Sequence, residues 1–210
     1  MGHRYLALTT TPATLSARRR WEGGDPYAGA TDGPDHNDRL GPAEAAFITA
    51  RDGFYLGSVT ETGWPYVQFR GGPKGFLQVL DETTFGFADF RGNRQQLTAG
   101  NVSIDDRVSL FLMDYARRRR LKILGRLRFV DDPERIARLQ VPGYAARVQR
   151  AALVEIAAFD WNCPQHIPVR FTEAEVSAAA APLHARIAEL DAENARLRAA
   201  LGAAAPAKPR

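Results

Sequence analysis

Apolar and polar positions alternate through the middle of the chain, and the alternation predicts strands. Over residues 54–61, Phe54, Leu56, Ser58 and Thr60 alternate with Tyr55, Gly57, Val59 and Glu61, with the β-branched and aromatic content of a strand. Glu61–Thr62–Gly63 supplies a turn, and residues 64–70 form a second strand with Pro65 near its start, where a missing N–H is tolerated. Gln68 and Arg70 are two apart and so leave this hairpin on one face. Residues 75–80 (GFLQVL) and 84–88 (TFGFA) read as two short strands, and residues 107–114 (RVSLFLMD) and 120–130 (RLKILGRLRFV) as two longer ones. In the last of these, Leu121, Ile123, Leu127 and Phe129 point one way, and Arg120, Lys122, Arg126 and Arg128 the other. Residues 152–159 complete a set of about seven strands with few helices, the pattern of a mainly β, antiparallel barrel or sandwich.

Helices fill the gaps. Gly41–Pro42 opens one, with Pro in the first turn, and residues 132–140 form another around Pro133. A helical run is expected to begin near Asn93 and to end near Gly100. Residues 1–40 carry few periodic apolar positions and two strong breaker clusters, Gly23–Gly24–Asp25–Pro26 and Asp32–Gly33–Pro34. They read as an arm laid over the domain or its partner and anchored by Trp21 and Tyr27, or as a disordered tail.

From Thr172 the period changes. Ile187, Asn194 and Leu201 fall at heptad position a, and Leu183, Leu190 and Leu197 at d. A β-branched a with Leu at d favours a parallel two-stranded coiled coil, and a lone Asn at a fixes register. Arg186 and Glu193 at g would face Asp191 and Arg198 at e of a parallel partner. The alternative is an amphipathic helix packed on its own domain. Domain limits follow: an arm over 1–40, a β domain over 41–171, a coiled-coil helix over 172–202 and a disordered tail over 203–210.

The 210 residues carry a net charge of +4, which leaves nucleic acid, membrane surface and phosphorylated small molecules open as partners. A single cysteine, Cys163, excludes an internal disulfide framework. Neither a secretory leader nor a bilayer-length apolar run is read, so a soluble, cytoplasmic protein is expected.

Candidate chemistry centres on FGFADFRGNRQQ, residues 85–96. A strand ends, the chain turns through Asp89, Phe90, Arg91 and Gly92, and a helix starting near Asn93 would offer free N–H groups to an anion. Arg91 and Arg94 add guanidinium forks suited to phosphate. Arg70 and Lys74, with Arg120 or Lys122, would converge there if the sheet curls. The four histidines at 3, 36, 166 and 184 show no metal-ligand spacing, and the Arg117–Arg120 run lacks the interleaved aromatics of a nucleic-acid surface.

GWPYVQFRGGPKG, FADFRGNRQ, DDRVSLFLMDYARRRRLKILGR and WNCPQHIPVRF resemble the flavin-binding split-barrel proteins related to pyridoxamine 5′-phosphate oxidase. The resemblance implies an antiparallel split β-barrel binding FMN at the interface of a homodimer. It implies that Val67, Gln68 and Arg70 run along the ring and ribityl chain, and that Arg91, Asn93, Arg94 and Gln95 surround the phosphate beside Asp89. It further implies that Arg120, Trp161 and His166 reach the flavin, the last two from across the interface. CPQHIPVRF departs from the Arg-Leu-Ala-Pro segment with which the true oxidases hold their substrate phosphate. An FMN-dependent oxidoreductase on a small organic substrate is therefore expected. A flavin carrier or sensor without turnover, or a haem-binding split barrel using His166, are the other readings.

Overall fold

The computed structural model describes residues 2–204. Its contacts divide the chain into a first unit ending at Ile167 and a second beginning at Pro168. The elements of the first unit are β1 (Gly2–His3), α1 (Arg4–Thr9), α2 (Pro12–Glu22), β2 (Asp35–His36), α3 (Pro42–Thr49), β3 (Gly53–Val59), β4 (Pro65–Gly71), β5 (Leu77–Val79), β6 (Thr84–Phe90), α4 (Leu97–Ile104), β7 (Arg107–Asp114), β8 (Arg119–Val130), α5 (Pro133–Leu139) and β9 (Val148–Asn162). The second unit is built on α6 (Glu173–Ala204). Among the described residues no helix is long and apolar enough to cross a membrane.

Seven strands form one antiparallel sheet in the order β4-β3-β7-β8-β9-β6-β5. The hairpin of β3 and β4 pairs Leu56 with Gln68 and Phe54 with Arg70, and Gly63 closes its turn at φ 88°, a conformation that favours glycine. Alternation along β8 is as expected: Leu121, Ile123 and Leu127 are buried in the main core with Phe54, Leu56, Leu110, Leu112, Phe85 and Phe87. The two end strands, β4 and β5, share no ladder.

The sheet nevertheless wraps on itself. Phe54 on β3 and Phe87 on β6 stand four strand steps apart, which in a flat sheet is roughly 19 Å. Their ring centroids are 5.3 Å apart, edge to face, so the sheet has curled until its inner faces meet. Gly125 allows the bend in β8: a Cβ there would lie 2.5 Å from the Glu155 carbonyl oxygen, at the point where the β8–β9 register shifts.

Several elements differ from the sequence reading. β9 begins at Val148, four residues before the expected start, and β6 runs on to Phe90. The helix expected near Asn93 starts at Leu97 instead. Residues 2–40 include two helices and lie against the β domain: α2 is capped by Thr11, whose hydroxyl accepts from the Thr14 N–H at 3.2 Å, and Pro12 occupies its first turn. Trp21 and Tyr27 are both exposed in the single chain, each with an arginine over its ring. The segment is held by residues at its two ends. His3 Nε2 lies 3.4 Å from an Asp160 oxygen, Lys122 Nζ sits 4.8 Å from the Tyr5 ring centroid, and the Phe159 N–H donates to the Asn37 carbonyl at 2.7 Å.

In the second unit, α6 starts with a capping box: the Thr172 hydroxyl accepts from the Glu175 N–H at 3.2 Å, and the Glu175 carboxylate accepts from the Thr172 N–H at 2.8 Å. Pro182 lies inside the helix. Leu183, Ile187, Leu190, Leu197 and Leu201 are all exposed along it. The tail expected over 203–210 starts inside α6, and residues 205–210 lie outside the described residues.

Candidate functional site

The hairpin's period of two creates one wall of a cleft. On β4, Tyr66, Gln68 and Arg70 are partly buried and line the cleft, while Val67 and Phe69 face the other way, 64% and 59% exposed. Opposite them β6 ends at Asp89–Phe90, where its register against β9 shifts. Such an irregularity turns the outgoing chain. The loop that follows, residues 91–96, arches over the cleft.

Two tethers fix α4 and hence this loop. The Thr98 hydroxyl donates to Gln68 Oε1 at 2.8 Å, and Asn101 Nδ2 donates to the Ser58 hydroxyl at 2.9 Å, both from α4 to the β3–β4 hairpin. Within the loop, Asn93 Oδ1 accepts from the Gln95 N–H at 3.1 Å, an Asx turn that displaces the expected helix start. Arg94 and Gln96 both adopt left-handed backbone, at φ 64° and 57°. Neither is glycine, so each carries a strain that its surroundings must hold.

A buried carboxylate organises the cations. Asp89, 3% exposed, takes the Arg70 guanidinium on one oxygen and Arg150 Nε on the other, the latter at 2.8 Å. Arg150 also donates to Gln96 Oε1 at 2.6 Å and lies over the Phe129 ring at 4.1 Å. Its place opposite Asp89 is a cross-strand pair of opposite charges. Among the described residues Arg70 Nε is buried with no partner, and the Arg94 side chain has no hydrogen-bond or ion-pair partner. Three guanidiniums against one carboxylate leave a surplus of two positive charges along the lining. That surplus, with an unsatisfied donor, matches a phosphate dianion. The enclosed space is about 50 Å³, enough for a phosphoryl group and far below the hundreds of cubic ångströms that surround a whole cofactor.

Of the residues singled out in the sequence, Gln68, Arg70, Asp89, Asn93, Arg94 and Gln95 line this cleft. Val67, Arg91, Arg120, Trp161 and His166 do not. Val67 faces outward, and the Arg91 N–H is spent on the Arg147 carbonyl while its side chain lies outside the lining. Arg120 and Lys122 do not converge with Arg70. Arg120 pairs with Met113 and Lys122 with Phe111, on the sheet face opposite the core residues Leu121 and Ile123. There Arg120 donates to Asn162 Oδ1, Lys122 lies 2.7 Å from Asp160, and Lys74 stays outside the cleft as well.

Trp161 is eleven residues along β9 from Arg150, roughly 35 Å of extended strand. It packs edge to face with Phe47, ring centroids 4.8 Å apart, Nε1 donates to Glu44 at 2.7 Å and Arg119 covers its face at 4.4 Å, so it clamps α3 to β9. His166 is exposed, at φ 61°. The residues that sequence reasoning missed are Arg150 and Gln149 on β9 with Tyr66, Gln96 and Thr98. Only a longer reading of β9 could have brought Arg150 opposite Asp89.

The sequence profile of pyridoxamine 5′-phosphate oxidase matches residues 40–162, more than half of the chain. The chain belongs to the pyridoxamine 5′-phosphate oxidase family. The family match spans α3 to the end of β9 and so contains every residue of the cleft. Solved structures similar to this family member include HupZ of Group A Streptococcus, 10% identical, covering 63% of this chain and 99% of that one with a TM-score of 0.48. An FMN-binding protein from Syntrophomonas wolfei is 9% identical over 57% of this chain and 83% of its own, TM-score 0.47. A protein related to general stress protein 26, of the pyridoxinephosphate oxidase family and from Clostridium acetobutylicum, is 12% identical over 62% and 92%, TM-score 0.43. Comparison with curated protein sequences gives no match.

Proposed function

We propose that this chain is an FMN-dependent oxidoreductase acting on a small organic substrate. The observation that carries the reading is the orphaned, buried Nε of Arg70 beside the unpaired Arg94 guanidinium, at a cleft sized for one phosphoryl group. Arg70 and Arg94 bind the FMN phosphate, and Asn93 and Gln95 shape the loop that carries Arg94. Asp89 fixes Arg70 and Arg150 in place before any ligand arrives, so little ordering is left for binding. Gln68, one rung from Arg70 on the same face, is aimed by its bond to Thr98 toward the ribityl chain. FMN bound there supplies two-electron redox chemistry, and the protein supplies orientation and charge.

The remaining expected contacts require a second copy. Val67, Phe69 and Tyr55 form an exposed apolar strip on the outer face that also carries Arg120. Exposed apolar strips of this kind mark interaction surfaces. A homodimer seated on that strip supplies Arg120 from this face, and Trp161 from the far end of β9, to the flavin ring, which one chain's cleft is too small to enclose. The curled sheet closes as a split β-barrel, and α6 pairs in parallel with its copy through Leu183, Ile187, Leu190, Asn194, Leu197 and Leu201. His166, which a haem site would need as an axial ligand, is an exposed turn residue. The absorbance spectrum of the purified protein tests the reading: oxidised-flavin bands with bound or added FMN support it, and a Soret band or a colourless protein indifferent to FMN overturns it.

A further inference from the structure

A second cavity lies on the outer face of the same sheet, away from the phosphate cleft. It measures about 360 Å³ and is lined by Leu80, Asp81, Thr84, Arg128, Arg135, Arg138, Leu139 and Leu153. That volume falls within the roughly 300–1,000 Å³ of small-molecule sites. The face is fixed by register: Leu153 pairs with Gly86 and Arg128, whereas its neighbour Val154 pairs with the core residues Phe85 and Leu127. α5 covers this patch with Leu139. Gly86 admits it, since a Cβ there would lie 3.0 Å from Leu139 Cδ1.

The charges of the cavity are unbalanced. Arg135 and Arg138, three apart on α5, share a helix face, and Arg128 approaches from β8. Among the described residues Arg128 and Arg138 have no hydrogen-bond or ion-pair partner; Arg135 Nε lies 3.3 Å from Asp132. Asp81 is the one carboxylate among the lining residues, and its Oδ1 receives the Thr83 N–H at 2.8 Å and the Thr83 hydroxyl at 3.0 Å; Glu155, exposed, sits outside the lining between Thr84 and Arg126. Two free guanidinium forks from separate elements thus face one space, with leucines as its apolar wall.

We infer that this cavity binds a small amphipathic oxyanion, a carboxylate or phosphate head on Arg128 and Arg138 with an apolar body against Leu80, Leu139 and Leu153. Guanidinium forks recognise either head by paired N–H donors. Because the site lies on the other sheet face, it is separate from the phosphate cleft and makes no use of Arg70, Arg94 or Arg150.

The test is calorimetric titration of the full chain with octanoate, octyl phosphate and uncharged octanol. At least one of the two anions is expected to bind once per chain and about tenfold or more tighter than octanol, and which one it is identifies the head group. Arg128→Gln with Arg138→Gln is expected to weaken that anion about tenfold or more, from the loss of charge-assisted hydrogen bonds, and to leave FMN affinity unchanged. Arg138→Gln alone gives an intermediate loss, and a urea midpoint equal to wild type confirms that the variants fold. Anions binding no tighter than octanol, no binding by either, or unaltered binding by the double variant would overturn the inference.

Discussion

Arg70 on β4 and Asp89 on β6 form an ion pair across a gap that no strand ladder bridges. The side chains are 15% and 3% exposed, so the contact is a buried one, and Asp89 holds Arg150 at the same time. Asp89→Asn should leave two guanidiniums without a counter-charge. Removing one partner of a buried pair costs about 3 kcal/mol or more. Urea unfolding of the variant should show that loss, together with weaker FMN binding. Wild-type stability would mean that Asp89 does not organise the cleft.

Arg94 separates binding from folding. It is exposed and makes no contact that the fold needs, so Arg94→Ala should change stability by no more than about 0.5 kcal/mol. A charge-assisted hydrogen bond contributes about 1.5–3 kcal/mol, so FMN affinity should fall roughly tenfold to a hundredfold. Quenching of flavin fluorescence measures it. Retention of FMN after dialysis would remove Arg94 from the site.

How much of this was legible in the sequence differs between elements. Alternation announced the hairpin and β8, because Leu121, Ile123 and Leu127 must all reach one core. It also put Gln68 and Arg70 on one face. The loop over the cleft differs from the sequence reading in its start and at Arg91, whose side chain lies outside the lining: Asn93 reads as a helix opener, yet its side chain closes an Asx turn and Arg94 and Gln96 go left-handed, so α4 waits until Leu97. Arg150 was invisible because β9 looked complete from Ala152 onward, and only pairing with β6 gives it a partner. Arg120 illustrates the limit of residue type: a cation on the expected strand can lie on the sheet face away from its own chain's cleft. α2 was missed since PATLSARRRWE buries no residue and so shows no stripe.

Asp114 gives the protein an acid-sensitive joint between α3 and β7. Burial pushes its carboxyl up, but the Arg117 N–H and the Arg51 and Arg117 guanidiniums outweigh burial and hold it below the ordinary 3.8. Its folded value therefore lies below its unfolded one, so the unfolded chain takes up the proton first. The stabilisation is present above pH 3.8 and lost as pH falls below it. Asp114→Asn should flatten that part of the stability profile measured by denaturant melts from pH 6 down to pH 3. An unchanged slope would assign the acid sensitivity elsewhere.

The leucines of α6 are exposed, and the proposed coiled coil would cover them. If α6 pairs with its copy as proposed, deleting residues 177–210 should weaken that dimer about tenfold or more and leave FMN binding per chain intact. Sedimentation across a dilution series measures it, and an unchanged dimer would mean the heptads contribute nothing to assembly.

The most direct measurement compares FMN with riboflavin, which has the same ring and ribityl chain and no phosphate. Fluorescence titration should give tight FMN binding, and riboflavin affinity lower by about a hundredfold or more, the loss of contacts to Arg70 and Arg94. Equal affinity for the two, or binding of neither, would contradict the assignment of this cleft to a nucleotide phosphate.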